Sequence, residues 1–306
     1  MISIIISSVN KNQLRLVAEN IRKTIGVPFE LLSFDNHEGK YGICEIYNKG
    51  IAKAKYDILC FMHEDIEIHT DKWGNIVSAY FENNKELGLV GVAGSDNKSS
   101  VAGGCDTRFG TTYINIIQHF KFTDRGPKRF SLPPDRKKEV NPVVCVDGVW
   151  FCCPTDVAKE FLFDEGLKGF HGYDIDFSLS VTKKYQAVVS HEILMSHYSE
   201  GHFSHDWLDA MIYIHEKRKK ELPVFLLHPG KTEATAEKQT FRYLLKKYKQ
   251  NLNISFTKGV RILNASNIAS YGPILYMKMY LSLVKIIFFN NSKNDNQQSS
   301  FNDDAG

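Results

Sequence analysis

The strongest constraint on this chain is an alternation, over its first third, of short apolar runs with apolar residues at helical spacing. Ile2–Val9 is β-branched and almost unbroken, the pattern of a strand covered on both faces. Leu14, Val17, Ile21 and Ile25 then recur at helical spacing until Gly26 stops them. Phe29–Phe34 reads as a second strand, and Ile43, Ile46, Tyr47, Ile51 and Ala54 as a second helix. Tyr56–Met62 is a third strand, Trp73, Ile76, Val77, Tyr80 and Phe81 mark a third helix, and Leu87–Ala93 is a fourth strand. Parallel neighbours need a crossover between them, and a helix is the usual one. Repeated strand–helix order therefore predicts an α/β fold, a mostly parallel sheet with helices on both faces.

The alternation then breaks. Ser95–Cys105 is rich in Ser, Gly and Asn, and Arg125–Asn141 is basic and Pro-containing, so both read as surface loops, where specificity is commonly carried. Val143–Phe151 is apolar around Asp147-Gly148. Asp156–Leu162 reads as a short helix, Gly172–Thr182 as a helix start, and Ala187–Ser190 and Ile193–Ser196 as strands. Beyond His197 the pattern is helical, over Ser204–Glu221, Ala234–Gln250 and Pro273–Phe289. The last stretch, 290–306, is rich in Asn, Ser, Gln and Asp and is expected to be disordered.

Composition excludes several classes. At 43% hydrophobic and 24% charged residues, the 306-residue chain reads as a globule. It has no long charge-free apolar run, which excludes a polytopic membrane protein, and no basic, sufficiently apolar start to suggest a secretory signal. Six cysteines without a CxxC pair fit reduced thiols in the cytoplasm, with Cys152 and Cys153 as small apolar fillers. The net charge of +3 hides a division. Residues 1–216 hold 23 basic and 29 acidic side chains, residues 217–261 hold 12 and 3, and residues 262–306 hold 3 of each.

Ligands of open α/β sheets bind at the carboxyl ends of the strands. There the chain places Ser7–Asn10, Asp35-Asn36 and His63-Glu64-Asp65, three polar sets each following an apolar run. Asp35 and Asp65 have a plainer reading as caps of the next element. FMHEDIEI, residues 61–68, delivers adjacent carboxylates suited to Mg²⁺ or Mn²⁺. GxGxxG and GxxxxGK[ST] are both missing, so a nucleotide would be held by metal and side chains. GFHGYDIDFSLSVTKK, residues 169–184, sets Asp174 and Asp176 in an apolar frame. A helix beginning near Asp174 would keep it ionised, as a general base requires, while one of the two aspartates caps that helix. His191, His197, His202 and His205 are close in sequence, and His202 with His205 has the spacing of a helical zinc pair. The plainer reading of these histidines is hydrogen-bonded and structural.

Taken in order, these pieces resemble a family 2 type glycosyltransferase of GT-A fold, in the bacterial glycosyltransferase-like branch, over about residues 1–205. The pieces are ISIIISSVN, FDN, YNKGIAKAKYDILCFMHEDI, VDGVWF and GYDIDFSL. The resemblance implies that Asp35 recognises the base of a nucleotide sugar. Asp65 would hold a divalent metal, Mn²⁺ or Mg²⁺, with Glu64 and His63 beside it and His197 near the metal or diphosphate. Asp174 would deprotonate the acceptor hydroxyl. Ser7, Asn10, Asn36, Asn48, Asp147, Gly148 and Asp176 are the remaining substrate-binding candidates. Two positions depart from the family pattern: His-Glu-Asp stands for Asp-x-Asp, and Tyr173-Asp174 for a pair of acids.

The implied activity is metal-dependent, inverting transfer of a sugar from a nucleotide sugar to a glycan or lipid-linked acceptor. A nucleotidyl or phosphoryl transferase on the same metal edge is one rival. A degenerate fold that only binds a glycan or partner is the other, kept open by His63. Residues 206–289 form a helical appendage. EKRKKELP and FRYLLKKYKQ carry its basic charge, and Tyr271–Phe289 is apolar with Lys278 and Lys285 on one face. This suits an anionic membrane surface, from the cytoplasmic side, better than nucleic acid, for which no reader motif is present. The alternative is that these helices pack on the body or on a second subunit.

Overall fold

The computed structural model describes residues 1–105, 109–121, 125–132, 139–199, 201, 203–226 and 232–289. The expected disordered tail, residues 133–138 of the 125–141 stretch and His202 lie outside them; strands at Lys128–Leu132 and Val140–Val143 correct the reading of the rest of that stretch as a loop.

The first elements follow the predicted order: β1 (Ile2–Ser8), α1 (Lys11–Thr24), β2 (Phe29–Asp35), α2 (Ile43–Lys53), β3 (Ile58–Met62), β4 (Ile66–Ile68), α3 (Trp73–Asn83) and β5 (Leu87–Gly91). The middle is strand-rich: β6 (Ala93–Ser95), β7 (Asn97–Lys98), β8 (Thr112–Gln118), β9 (Lys128–Leu132), β10 (Val140–Val143), β11 (Cys145–Val146) and β12 (Trp150–Pro154). Then come α4 (Thr155–Phe161), α5 (Tyr173–Val181), β13 (Gln186–Ser190) and β14 (Met195–His197). The C-terminal part holds α6 (His205–Lys217), β15 (Val224–Phe225), α7 (Glu233–Leu252), α8 (Phe256–Ala265) and α9 (Pro273–Val284), which ends in a π-helical turn, Lys285–Phe289. Helix α8 was not anticipated from the sequence.

The main sheet runs β10-β13-β5-β12-β3-β1-β2. β2, β1 and β3 are parallel, as are β5 and β13, while β12 lies antiparallel between β3 and β5 and β10 is antiparallel at the edge. A second sheet, β11-β6-β8-β14-β4, stands at the carboxyl ends of β3 and β5. Its strands explain two sequence surprises. The run expected as one strand over Leu87–Ala93 crosses between sheets, and Val143–Phe151 divides among three strands.

Strand alternation sorts side chains into two cores. Ile5, Leu59, Phe61, Leu89, Phe151 and Val189 face one core, which α2, α4 and α5 cover. Ile4, Ile6, Cys60, Met62, Val90, Cys152 and Val188 face the other, under α1 and α3. Each fully buried aliphatic or aromatic side chain contributes about 1.5–3 kcal/mol. Cys152 and Cys153 point to opposite cores and are both fully buried.

The C-terminal helices share the first core through Leu208, Phe241, Leu245, Ile262 and Leu283. They also correct the reading of Ser95–Cys105 as a surface loop: Ser95 through Ala102 are buried. Helix α7 lies over the segment, with Tyr248 Oη donating to Ala102 O at 2.6 Å and Glu237 accepting from Ser100 N at 2.9 Å. A Ser- and Asn-rich segment can be buried once its polar groups find such partners.

Candidate active site

The end of β3 builds the centre. Between β3 and β4 the chain bends at Glu64 and Asp65, which sets His63 and Asp65 together on one side and turns Glu64 to the other. Antiparallel pairing of β14 with β4 sets His197 against Ile66 and so beside Asp65. His63 Nδ1 lies 3.8 Å and His197 Nε2 3.7 Å from the same Asp65 oxygen, Oδ1. The three ligand atoms fall within 4.8 Å of one another.

The surrounding hydrogen bonds assign both imidazole tautomers. Tyr173 donates its hydroxyl proton to Gly148 O at 3.0 Å, so at the 3.1 Å contact His63 Nε2–H donates to Tyr173 Oη. Nδ1 of His63 is then the nitrogen that faces Asp65. Gln118 donates its amide to backbone carbonyls, among them His119 O and Ser199 O. Its Oε1 therefore accepts from His197 Nδ1 at 3.2 Å, and Nε2 of His197 is the nitrogen that faces Asp65. Ser199 Oγ donates to Asp65 Oδ2 at 2.6 Å and fixes that carboxylate. Two imidazole nitrogens and a carboxylate oxygen thus converge. Metal–ligand bonds of about 2.1 Å set neighbouring ligand atoms roughly 3–3.6 Å apart, so a divalent ion would draw each imidazole a few tenths of an ångström closer to Asp65 and close the wider gap between the two imidazoles further. Mixed nitrogen and oxygen donors suit Mn²⁺ better than Mg²⁺, which favours oxygen. Tyr173, Gln118 and Ser199 orient the ligands, and the sequence carries no signal for any of them beyond proximity to a motif.

Beside this cluster opens a cleft of about 380 Å³, lined by His63, His197, Asp147, Gly148 and Asp174 among others. Gly172, in the left-handed region at φ +80°, starts α5. Asp174 then stands in the first turn and accepts from Gly148 N at 2.9 Å. Gly148 has no room for a side chain, since a Cβ there would overlap the Tyr173 hydroxyl. Burial, then the charge of Asp147, push the Asp174 carboxyl up to about 7, against backbone N–H bonds at the helix start that pull it down. This corrects the expectation that the helix start holds Asp174 firmly ionised: desolvation outweighs the dipole.

The other candidates fall elsewhere. Glu64 turns from the metal side and accepts from Ser8 Oγ at 2.6 Å and from Val9 N and Asn10 N at 2.9 Å, tying β1 to β3. Asn10 caps α1. Asp35 is exposed and pairs with His37 Nδ1 at 2.8 Å. Asn36 closes its own turn onto Tyr41, and Asn48 clamps Phe163. Ser7 Oγ is buried without a hydrogen-bond partner. Asp176 faces away from the cleft, where Arg218 Nε donates to it at 2.6 Å and Lys217 at 2.9 Å. On a helix, residues two apart point to nearly opposite sides, so Asp174 and Asp176 cannot share a site.

A two-sheet α/β body with an acid-and-imidazole cluster where the second sheet meets the end of β3 is the architecture of the GT-A glycosyltransferases. The chain belongs to the glycosyltransferase-like family, whose model matches residues 3–222. Among solved structures, TarS 1–349 of S. aureus in complex with UDP-GlcNAc matches with TM-score 0.50 and 12% identity, over 94% of this chain and 89% of that one. GalNAc-T7 with UDP, GalNAc and Mn²⁺ matches with TM-score 0.47 and 15% identity, over 89% of this chain. The chain spans 58% of the GalNAc-T7 chain. Likeness at such identity shows the fold alone. A comparison with curated proteins found no match.

Proposed function

We propose that the chain transfers a sugar from a nucleotide sugar to an acceptor hydroxyl, with a divalent metal held by His63, Asp65 and His197. The convergence of the two imidazole nitrogens on Asp65 Oδ1, at 3.8 and 3.7 Å, carries this reading. It also weakens the case for a degenerate, non-catalytic fold, because His63 supplies a ligand in place of the missing carboxylate. A metal bound there would neutralise the leaving nucleoside diphosphate. Asp174, at the wall of the same cleft, takes the proton of the acceptor hydroxyl as its oxygen attacks the anomeric carbon. The bond to the diphosphate oxygen breaks on the opposite face, which inverts the anomeric centre. UDP-GlcNAc, which the TarS structure carries, is the first donor to try. The acceptor side favours a membrane surface. Ile274, Met277, Leu281, Phe288 and Phe289 are exposed on α9 and its terminal turn, along with Lys278 and Lys285, while Met279, Leu283 and Ile286 anchor the inner face. No helix of the described residues is long and apolar enough to cross a membrane, so α9 would lie in the interface.

The deciding experiment is a thermal-shift titration of nucleotide sugars with and without Mn²⁺, on the parent chain and Asp65→Ala. Stabilisation by donor that needs both Mn²⁺ and Asp65 is expected. Equal donor binding without the metal or in the variant overturns the metal reading. Release of pyrophosphate instead of a nucleoside diphosphate would favour a nucleotidyl transferase.

A further inference from the structure

The cleft has two linings of different origin. The body supplies the metal-facing histidines and the two aspartates, and residues beyond 200 supply a wall of carbon. Phe203, Trp207 and Tyr243 line the cleft there, and Phe170 of the body adds a fourth ring. Large exposed aromatic rings are uncommon on a soluble surface and informative when gathered at one site. Phe170 and Tyr243 are each 41% exposed. The wall is held firmly. Phe203 and Trp207 meet edge to face at 4.9 Å, and Trp207 packs against the buried Tyr248 at 6.1 Å. Lys247 also lines the cleft, its ammonium 4.6 Å from the Phe203 ring centroid.

From this we infer that the aromatic wall of the C-terminal helices is an acceptor subsite. It takes a pyranose ring by stacking, with Lys247 selecting a ring that carries a phosphate or carboxylate. The inference rests on the proposed sugar transfer and specifies its acceptor. One face of a pyranose presents C–H groups of partial positive charge, which suit the negative face of an aromatic ring. The ring hydroxyls are then left at the edge, where Asp174 can receive a proton. A flat carbon wall confers little selectivity by itself, so the charge comes from Lys247, the one lysine or arginine among the described cleft-lining side chains. A cation in a site otherwise lined by Asp147 and Asp174 also offsets their repulsion of an anionic acceptor.

The chain supplies its own probe. Of its three tryptophans, Trp73 and Trp150 are fully buried in the core, so a ligand-dependent change in tryptophan emission reports on Trp207. The experiment titrates the full chain, without donor or metal, with glucose, glucose 6-phosphate, glucuronic acid, sorbitol 6-phosphate and uridine. Quenching by glucose 6-phosphate and glucuronic acid at millimolar concentration is expected, with at least fivefold weaker response to glucose and none to sorbitol 6-phosphate, which has no ring to stack. Saturation-transfer NMR on Trp207→Ala and Lys247→Gln supplies the second readout. The first should lose sugar binding, and the second should lose the preference for the charged sugars. Absence of quenching, sugar binding that survives Trp207→Ala, or quenching by uridine alone overturns the assignment. Mn²⁺-dependent donor stabilisation is measured separately, so its failure would overturn the transferase reading and leave the sugar titration interpretable.

Discussion

Asp174→Asn should make the protein more stable, and more so as the pH rises. The ordinary value for this carboxyl is 3.8, and burial with the neighbouring Asp147 charge takes it to about 7 in the folded chain. A group whose folded value is raised favours folding in its protonated form. Its contribution is fully present below the unfolded value and is lost as pH rises through the folded one. At about 1.4 kcal/mol per unit, the ionised carboxylate costs folding about 4 kcal/mol above pH 7. Asp147 is exposed and its charge is screened, which reduces the retained cost to roughly 2–4 kcal/mol. Asparagine keeps an oxygen for the Gly148 N–H and carries no charge. The variant should therefore gain about 0.5 kcal/mol at pH 4 and roughly 2–4 kcal/mol at pH 8, by linkage. Urea denaturation of both proteins at several pH values between 4 and 8.5 reads this directly, because other groups cancel in the difference. Transfer should be lost in the same variant, a gain of stability at the expense of activity. A stability difference that does not change with pH, or a destabilised variant with an intact cleft, refutes the account of Asp174.

Tyr173→Phe removes the oxygen that orients His63 while leaving the ring packed. Mn²⁺ affinity, followed by isothermal titration, should fall about 10-fold with little change in unfolding midpoint. Arg218→Met leaves Asp176 buried with only Lys217 for company, and should cost about 3 kcal/mol in urea denaturation, partly recovered by adding Asp176→Asn. Leu281→Glu with Phe288→Glu places charge on the exposed stripe of α9. Sedimentation with phosphatidylglycerol-containing vesicles should fall severalfold while circular dichroism stays unchanged, and equal sedimentation would remove the membrane from the proposal.

How much of this was legible depended on the local period. The two unbroken apolar strands β1 and β3 were readable because both faces are covered, and β3 ends at the edge where His63, Asp65 and His197 converge. The residues within those endings were sorted less well, and the reason is geometric. His63, Glu64 and Asp65 read as one acidic motif, but the bend between β3 and β4 splits them, two toward His197 and one to the β1 loop. Asp174 and Asp176 read as a pair, but the helix beginning at Tyr173 sends them to opposite sides. Gln118 and Ser199 were invisible because their roles come from β14 lying between β4 and β8, a long-range register that no local pattern encodes.

Charge shows the same limit at the scale of the whole chain. An acidic body and a basic C-terminal segment invite the idea that the basic part seeks an outside partner. Part of that charge instead meets the body or the first helix of the appendage. Arg218 and Lys217 hold Asp176, Lys217 also holds Asp164, Lys258 pairs with Asp209, and Arg261 pairs with Glu216. Asp164 and Asp176 of the body thus find their counter-charges on α6 and the residue after it. The buried part of this network, Asp176 with Arg218, gains little net energy but leaves a costly unpaired charge if the parts separate. The helices are thereby committed to one position over the body, and that position sets Trp207, Tyr243 and Lys247 at the cleft. A boundary drawn near residue 205 from composition thus runs through the site. Asp65 and Asp174 lie on one side of it, and Trp207, Tyr243 and Lys247 of the proposed acceptor wall lie on the other.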